Sequence, residues 1–184
     1  MKRNFHLIAG MAIVASCLLA AASLRAQSPQ KVDPSKTLDQ MFSSYEQEFV
    51  PLVEAMPADK YNFAPTTGEY KGVRTFAEQV KHVTQANYFY FGSIAATKPS
   101  NLPDIKSLKT KEQIVQALKD SFAYGHQVIA TITADNAFQA MGSGEHVHTR
   151  VGAVAGVVGH GYNHYGQLVE YLRMNGIVPP ASRH

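Results

Sequence analysis

Residues Thr149 to Asn175 read TRVGAVAGVVGHGYNHYGQLVEYLRMN, and the fold class turns on this stretch. It forms one continuous helical segment that stops at Asn175-Gly176, with Pro179-Pro180 beyond the end. Its first half, VGAVAGVVG, is apolar on every side, the pattern of a helix buried all round. Gly152, Gly156, Gly159, Gly161 and Gly166 each lower helix propensity by about 1 kcal/mol relative to Ala. Their presence predicts close helix packing.

Three more helical segments precede it. In the first, Leu38, Met41, Phe42, Tyr45, Phe49, Leu52, Val53 and Met56 follow the i, i+3, i+4, i+7 spacing of one apolar stripe. Pro51 removes a backbone donor within that stripe, which predicts a kink or break near residues 47 to 51. Residues 57 to 73, with Pro57, Pro65, Gly68 and Gly72, form a long connection. The second segment opens on Thr75-Phe76-Ala77-Glu78, a capping box in which each end side chain satisfies a backbone N–H. Phe76, Val80, Val83 and Ile94 make its stripe, and it ends before Lys98-Pro99. A second capping box, Thr110 to Gln113, starts the third segment, whose stripe is Ile114, Leu118, Val128 and Ile132. Met141-Gly-Ser-Gly144 then marks a turn. No alternating run is long enough to read as a strand. Four long helices around one core predict an all-α, four-helix bundle.

The N-terminus reads as a targeting segment. Lys2 and Arg3 precede an uncharged run from Leu7 to Leu24, and cleavage after Ala26 fits a secretory signal. Cleavage after Ala22, a lipoprotein with Cys17 as the lipidated residue, and an uncleaved anchor helix are the alternatives. The expected organisation is a signal peptide over 1–26, a polar lead-in over 27–34 and the helical domain over 35–184. The expected location is periplasmic or secreted. The chain has 17 Lys and Arg against 14 Asp and Glu. Removing Lys2, Arg3 and Arg25 leaves 14 against 14, so the mature chain is formally neutral. A nucleic-acid partner needs clustered positive charge to displace counterions from phosphate, and none is expected here. No stable membrane association is expected after cleavage. Cys17 is the sole cysteine and leaves with the signal, so no disulfide holds the mature chain together. A domain of this size buries about 70% of its unfolded surface, enough for a core to do so.

Seven histidines remain after residue 26: His82, His126, His146, His148, His160, His164 and His184. His160 and His164 lie four apart on the last helix, on one face, with Cβ atoms about 6 Å apart. Two such imidazoles can converge on one ion, with bonds of about 2.0–2.1 Å if it is zinc. The pair shares its face with Ala153, Val157, Leu168 and Tyr171, while Val151, Val154, Val158, Tyr162 and Val169 take the opposite face. Buried imidazoles need partners for their nitrogens, and a metal is one such partner. The second helix offers His82, at the margin of its stripe and flanked by Ala86 and Phe89. On position alone it reads as a satisfied border histidine ahead of a third ligand. His146 and His148 form HxH in a loop, His126 lies off the stripe of its helix, and His184 is terminal. The spacing HEXXH is absent, because Gly161 follows His160, and there is no nucleophile elbow or Walker loop.

Two stretches carry a family resemblance: Thr75-Phe76-Ala77-Glu78-Gln79-Val80-Lys81-His82, and His160-Gly-Tyr-Asn-His164-Tyr-Gly-Gln167-Leu168 continuing through Tyr171-Leu172-Arg173 to Pro180. The chain resembles the DinB/YfiT-like superfamily of metalloenzymes, especially its exported bacterial branch, over about residues 35 to 181. Met56-Pro57-Ala58-Asp59-Lys60-Tyr61 matches too. The resemblance implies an up-down-down-up bundle and a divalent metal held by His82, His160 and His164. Some family enzymes carry a carboxylate where His160 stands. Relatives of known activity are transferases or isomerases that use a small-molecule thiol.

Three imidazoles suit Zn, Ni or Fe and leave a metal position open to water or substrate. The expected function is a divalent-metal-dependent enzyme of thiol-dependent transferase or hydrolase type, acting on a small-molecule substrate. The alternative is a non-catalytic bundle that binds a metal or small ligand. A homodimer is compatible with either. No general base stands out, and Asn163, Gln167, Gln79 and Gln85 are the polar residues expected near the ligands.

Overall fold

In the computed structural model, which describes residues 31–95 and 102–183, the four periodic segments are four α-helices. They are α1 (Pro34–Ala55), α2 (Phe76–Ile94), α3 (Lys111–Ile129) and α4 (Arg150–Met174). All lie in the unit Asp33–His184; of the preceding unit, Met1–Val32, only the last two residues are described. The segment read as a signal peptide, Cys17 included, lies outside the described residues, as do residues 27–30 of the lead-in and His184. Among the described residues no helix is long and apolar enough to cross a membrane. There is no strand among them, only an isolated antiparallel bridge between Met141 and His148.

Side chains set the helix ends. Asp33 Oδ1 accepts from the Ser35 N–H at 3.0 Å, with Pro34 in the first turn of α1, where its missing N–H costs nothing. Both capping boxes close. Thr75 Oγ1 accepts from the Glu78 N–H at 3.2 Å while Glu78 Oε2 accepts from the Thr75 N–H at 2.8 Å. Thr110 and Gln113 repeat the exchange at 3.3 and 3.2 Å. Thr149 Oγ1 caps α4 through the Gly152 N–H at 3.0 Å. At the other end Gly176 takes φ 73°, the left-handed conformation that stops a helix.

Contacts between helices fix the topology. Helices α2 and α4 run antiparallel: Gln79 meets Gln167, His82 meets His160, and Tyr90 lies against Gly156. Helices α1 and α3 also run antiparallel, with Asp39 against His126 and Glu54 against Lys119. By contrast α2 and α3 are parallel, since Asn87 bonds Ser121 and Phe91 abuts Gly125. So are α1 and α4, through Tyr45 with Tyr162 and Phe49 with Tyr165. The order is therefore up-down-down-up. The centre is aromatic: Phe42 packs on Phe91 and Phe122 with centroids 4.9 and 5.2 Å away, and Tyr45 on Phe122 at 5.1 Å. All four rings are fully buried.

Two local expectations are corrected. Pro51 does not break α1, which runs unbroken to Ala55. Pro51 is exposed, so the Gln47 carbonyl that loses its intrahelical donor is on the solvent side of the last turns. The first half of α4 is not buried all round: Gly152, Ala155 and Gly159 face outward. Its outer face is made of small residues, which look apolar in sequence yet expose little apolar area. Of the five glycines, a Cβ at Gly159 or Gly166 would meet nothing within 4 Å. Gly161 is the tight one, since a Cβ there would run into the Tyr45 ring.

His126, off the apolar stripe of α3, has two carboxylate partners on α1. Its Nδ1 donates to Asp39 Oδ1 at 2.6 Å and its Nε2 to Glu46 Oε2 at 2.9 Å, clamping α3 to α1. Both partners are acceptors, so the geometry suits the doubly protonated ring. Burial lowers the pKa of His126, but the two carboxylates outweigh it and the net shift is upward. A folded-state pKa above the unfolded value of about 6.5 gives stability that is full below that value. It is lost as the pH rises through the folded pKa. His126→Gln is expected to be less stable than the parent by up to about 1 kcal/mol at pH 5.5, a difference that shrinks by pH 9. Urea denaturation at the two pH values checks this; a gap that widens with pH contradicts the clamp.

Candidate metal centre

His82 sits two turns into α2, and its height is set by the Thr75 cap. His160 and His164 are one turn apart on α4. Because α2 and α4 are antiparallel neighbours, the three rings meet between them, with their Nε2 atoms converging. His160 Nε2 lies 3.1 Å from His82 Nε2 and 3.2 Å from His164 Nε2. Donors about 2.0–2.1 Å from one ion stand roughly 3.3 Å apart in a tetrahedral set and roughly 2.9 Å apart in an octahedral one. The two spacings to His160 fall between these values, and all three donors lie within 4.8 Å of one another, so the residues fit a divalent ion. Without a cation the convergence is awkward, because His160 Nε2 faces two other ring nitrogens and one lone pair cannot serve both.

His164 is buried, and His82 and His160 are half-buried. Burial pushes the pKa of His164 down to about 4, and the neighbouring His160, His82 and Arg74 charges add to the fall. Burial also lowers His82 and His160, with Arg74 contributing to both. All three imidazoles are thus held in the neutral form that binds metals. Ligation through Nε2 puts the remaining proton on Nδ1. Nδ1 of His160 and of His164 is buried with no hydrogen-bond partner among the described residues. Many metal-binding histidines give that proton to a carboxylate or carbonyl; here packing holds the rings instead.

An amide chain stands beside the triad. Gln79 Nε2 donates to Gln167 Oε1 at 2.7 Å, and Gln167 Nε2 donates to Asn163 Oδ1 at 2.7 Å. Three of the four polar residues expected near the ligands are therefore joined. The fourth, Gln85, lines a cleft of about 570 Å³ that opens on His82. Arg74, Lys81 and Lys106 line it too. Sequence reading passed over these cations because they come from three separate segments. His146 and His148 are not part of the cluster: they stand in the bridged loop before α4, where His148 Nδ1 donates to the His146 carbonyl at 3.0 Å. His126 faces α1, in its own carboxylate clamp.

The chain matches no curated protein. Among solved structures it is similar to a DinB-like protein from Bacillus subtilis, at 17% identity and TM-score 0.61, covering 76% of this chain and 92% of that one. A DinB-like protein from Bacillus cereus aligns at 10% identity and TM-score 0.67, covering 79% and 95%. A member of the DinB family from Exiguobacterium sibiricum aligns at 18% identity and TM-score 0.55, covering 79% and 93%. At such identities these neighbours speak for the fold alone. The sequence match is direct: residues 41–168 fit the profile of the DinB superfamily, a span that takes in all three clustered histidines. The chain belongs to the DinB superfamily.

Proposed function

We propose that the protein is an exported, divalent-metal-dependent enzyme acting on a small molecule at His82, His160 and His164. One observation carries the reading: the Nε2 atoms of His82, on α2, and of His164, on α4, lie 3.1 and 3.2 Å from that of His160, beside an open cleft. A divalent ion held there supplies Lewis-acid activation of a donor atom on the substrate. The chain's own contribution is to hold the three donors in register. The Thr75 cap sets the height of His82, the i, i+4 spacing stacks the other two, and the Gln79–Gln167 bond ties the helices together one turn from the rings. Thiol transfer and hydrolysis are the reaction classes to test. The uncharged run behind Lys2 and Arg3 supports export, with cleavage after Ala26. A formally neutral mature chain argues against a nucleic-acid partner.

A second reading has an observation of its own. The side chains bridging α2 and α4 beside the triad are amides, which neither take nor give a proton, so the bundle could hold its ion without turnover. Elemental analysis of untagged protein is expected to find close to one divalent metal ion per chain. Loaded protein is then assayed for ester and amide hydrolysis and for thiol transfer, with His164→Ala as the blank. Metal-dependent turnover is expected; metal without turnover favours the binding reading, and absence of metal under every loading condition rejects both.

A further inference from the structure

We infer that the cleft beside His82 is a subsite for an anionic group, a carboxylate or a phosphate, on the molecule that reaches the metal centre. The inference rests on the metal reading for its second point of attachment. The cleft brings Arg74, from the loop before α2, together with Lys81 of α2 and Lys106 of the short turn Ile105–Ser107. Glu78 is the one acid in the lining, and its Oε2 already accepts from the Thr75 N–H at 2.8 Å. Lys81 Nζ donates to the Lys106 carbonyl at 3.3 Å, which holds those two residues at the same mouth. None of the three cations has an ion-pair partner among the described residues. Positive charge thus outnumbers negative at the entrance, and no salt bridge spends it.

The interior of the site has the same sign. Among the described residues the cluster is made of the three imidazoles with no carboxylate in it, and Arg74 lines the same cleft as His82. A divalent ion on three neutral ligands therefore keeps its full charge, with a guanidinium in reach. Sites that bind metal through carboxylates neutralise part of that charge themselves; here the balancing anion has to arrive with the ligand. Arg is the side chain best suited to fork onto the two oxygens of a carboxylate or phosphate. A small molecule with an anionic end on Arg74 and a donor atom at the metal fits both halves of the site. A neutral or cationic one leaves the cleft's charge unanswered.

The test titrates inorganic phosphate and malonate separately into metal-loaded and chelator-stripped protein at low ionic strength, with heat as the readout. Glycerol is the neutral probe. Saturable binding of at least one anion is expected in both forms of the protein, with none for glycerol. The anion that binds tells carboxylate from phosphate. Arg74→Gln is expected to weaken binding about tenfold or more, through loss of a charge-assisted forked contact. Lys81→Gln and Lys106→Gln are expected to weaken it less. Lys119→Gln, on the Glu54 ion pair away from the cleft, is expected to leave it unchanged. Metal content is measured on every variant and is expected to match the parent. Anion binding in stripped protein that never accepts metal keeps the subsite and rejects the metal reading. Full metal loading with no anion binding, or with binding indifferent to Arg74→Gln, overturns the subsite alone.

Discussion

Adding a single methyl group, Gly161→Ala, is expected to destabilise the protein by about 3 kcal/mol, at the upper end of ordinary overpacking. For a domain of this size that lowers Tm by roughly 6–12 °C. The cause is Tyr45. Its ring lies so close to the Gly161 backbone that a Cβ would occupy the space of ring atoms. The ring cannot swing clear, because it is fully buried between Phe49, Phe122 and Tyr162, with centroids 5.3, 5.1 and 5.5 Å away. Helix propensity pulls the other way by about 1 kcal/mol and does not offset the clash. The sign of the effect is what tests the geometry. Gly159→Ala and Gly166→Ala gain the same propensity with nothing in the way, so they are expected to raise Tm by a few degrees. Tyr45→Val should recover part of the loss in the Gly161→Ala background, as coupled neighbours do. Thermal melts of these variants and of Tyr45→Val alone suffice, and a neutral Gly161→Ala contradicts the α1–α4 packing.

This glycine also shows how far the sequence can be read. The HxxxH spacing is local, and so are the two capping boxes and the Asn175-Gly176 stop; each appeared in the structure where one helix's own geometry puts it. Glycine has no local signature of that kind. Five glycines in one helix predict close packing somewhere, but only the pairing of α1 with α4 singles out Gly161 from the open Gly159 and Gly166. The same limit hid the clamp on His126. Asp39 and Glu46 are two turns apart on one face of α1, a pattern visible in the sequence, yet nothing local says that α3 delivers an imidazole between them. The cationic cleft is hidden more deeply still, since Arg74, Lys81 and Lys106 meet only once the loop, α2 and the short turn before α3 are assembled. His82 falls between these cases. Its place on the edge of an apolar stripe left two readings open, and the antiparallel approach of α4 brings its Nε2 to the other two. Pro51 differs in the other direction: a local rule predicted a kink or break, and at an exposed position near the helix end the lost hydrogen bond does not break α1.

The second large effect is expected at the triad. His160→Ala and His164→Ala should each abolish stoichiometric metal binding, and His82→Ala should do so nearly as completely. Each residue contributes one Nε2 to a set of three, and two imidazoles are too few donors to retain an ion in this partly buried site. His146→Ala and His148→Ala should keep the metal, because those side chains stand in the bridged loop outside the cluster. Stability should follow the ion. A ligand bound only by the folded state, at about a thousand times its Kd, stabilises it by roughly 4 kcal/mol. Chelator should therefore lower the Tm of the parent by roughly 8–16 °C and leave that of His164→Ala almost unchanged. Acidification should act in the same direction as chelator. Burial holds the three imidazole pKa values below the ordinary one, His164 near 4, so protons compete with the metal only below the pH of about 6.5 where a free imidazole charges. Metal release on a descending pH series is expected below that value. Release that is complete at neutral pH, or loop variants that lose the metal while His82→Ala keeps it, would place the ion somewhere other than between α2 and α4.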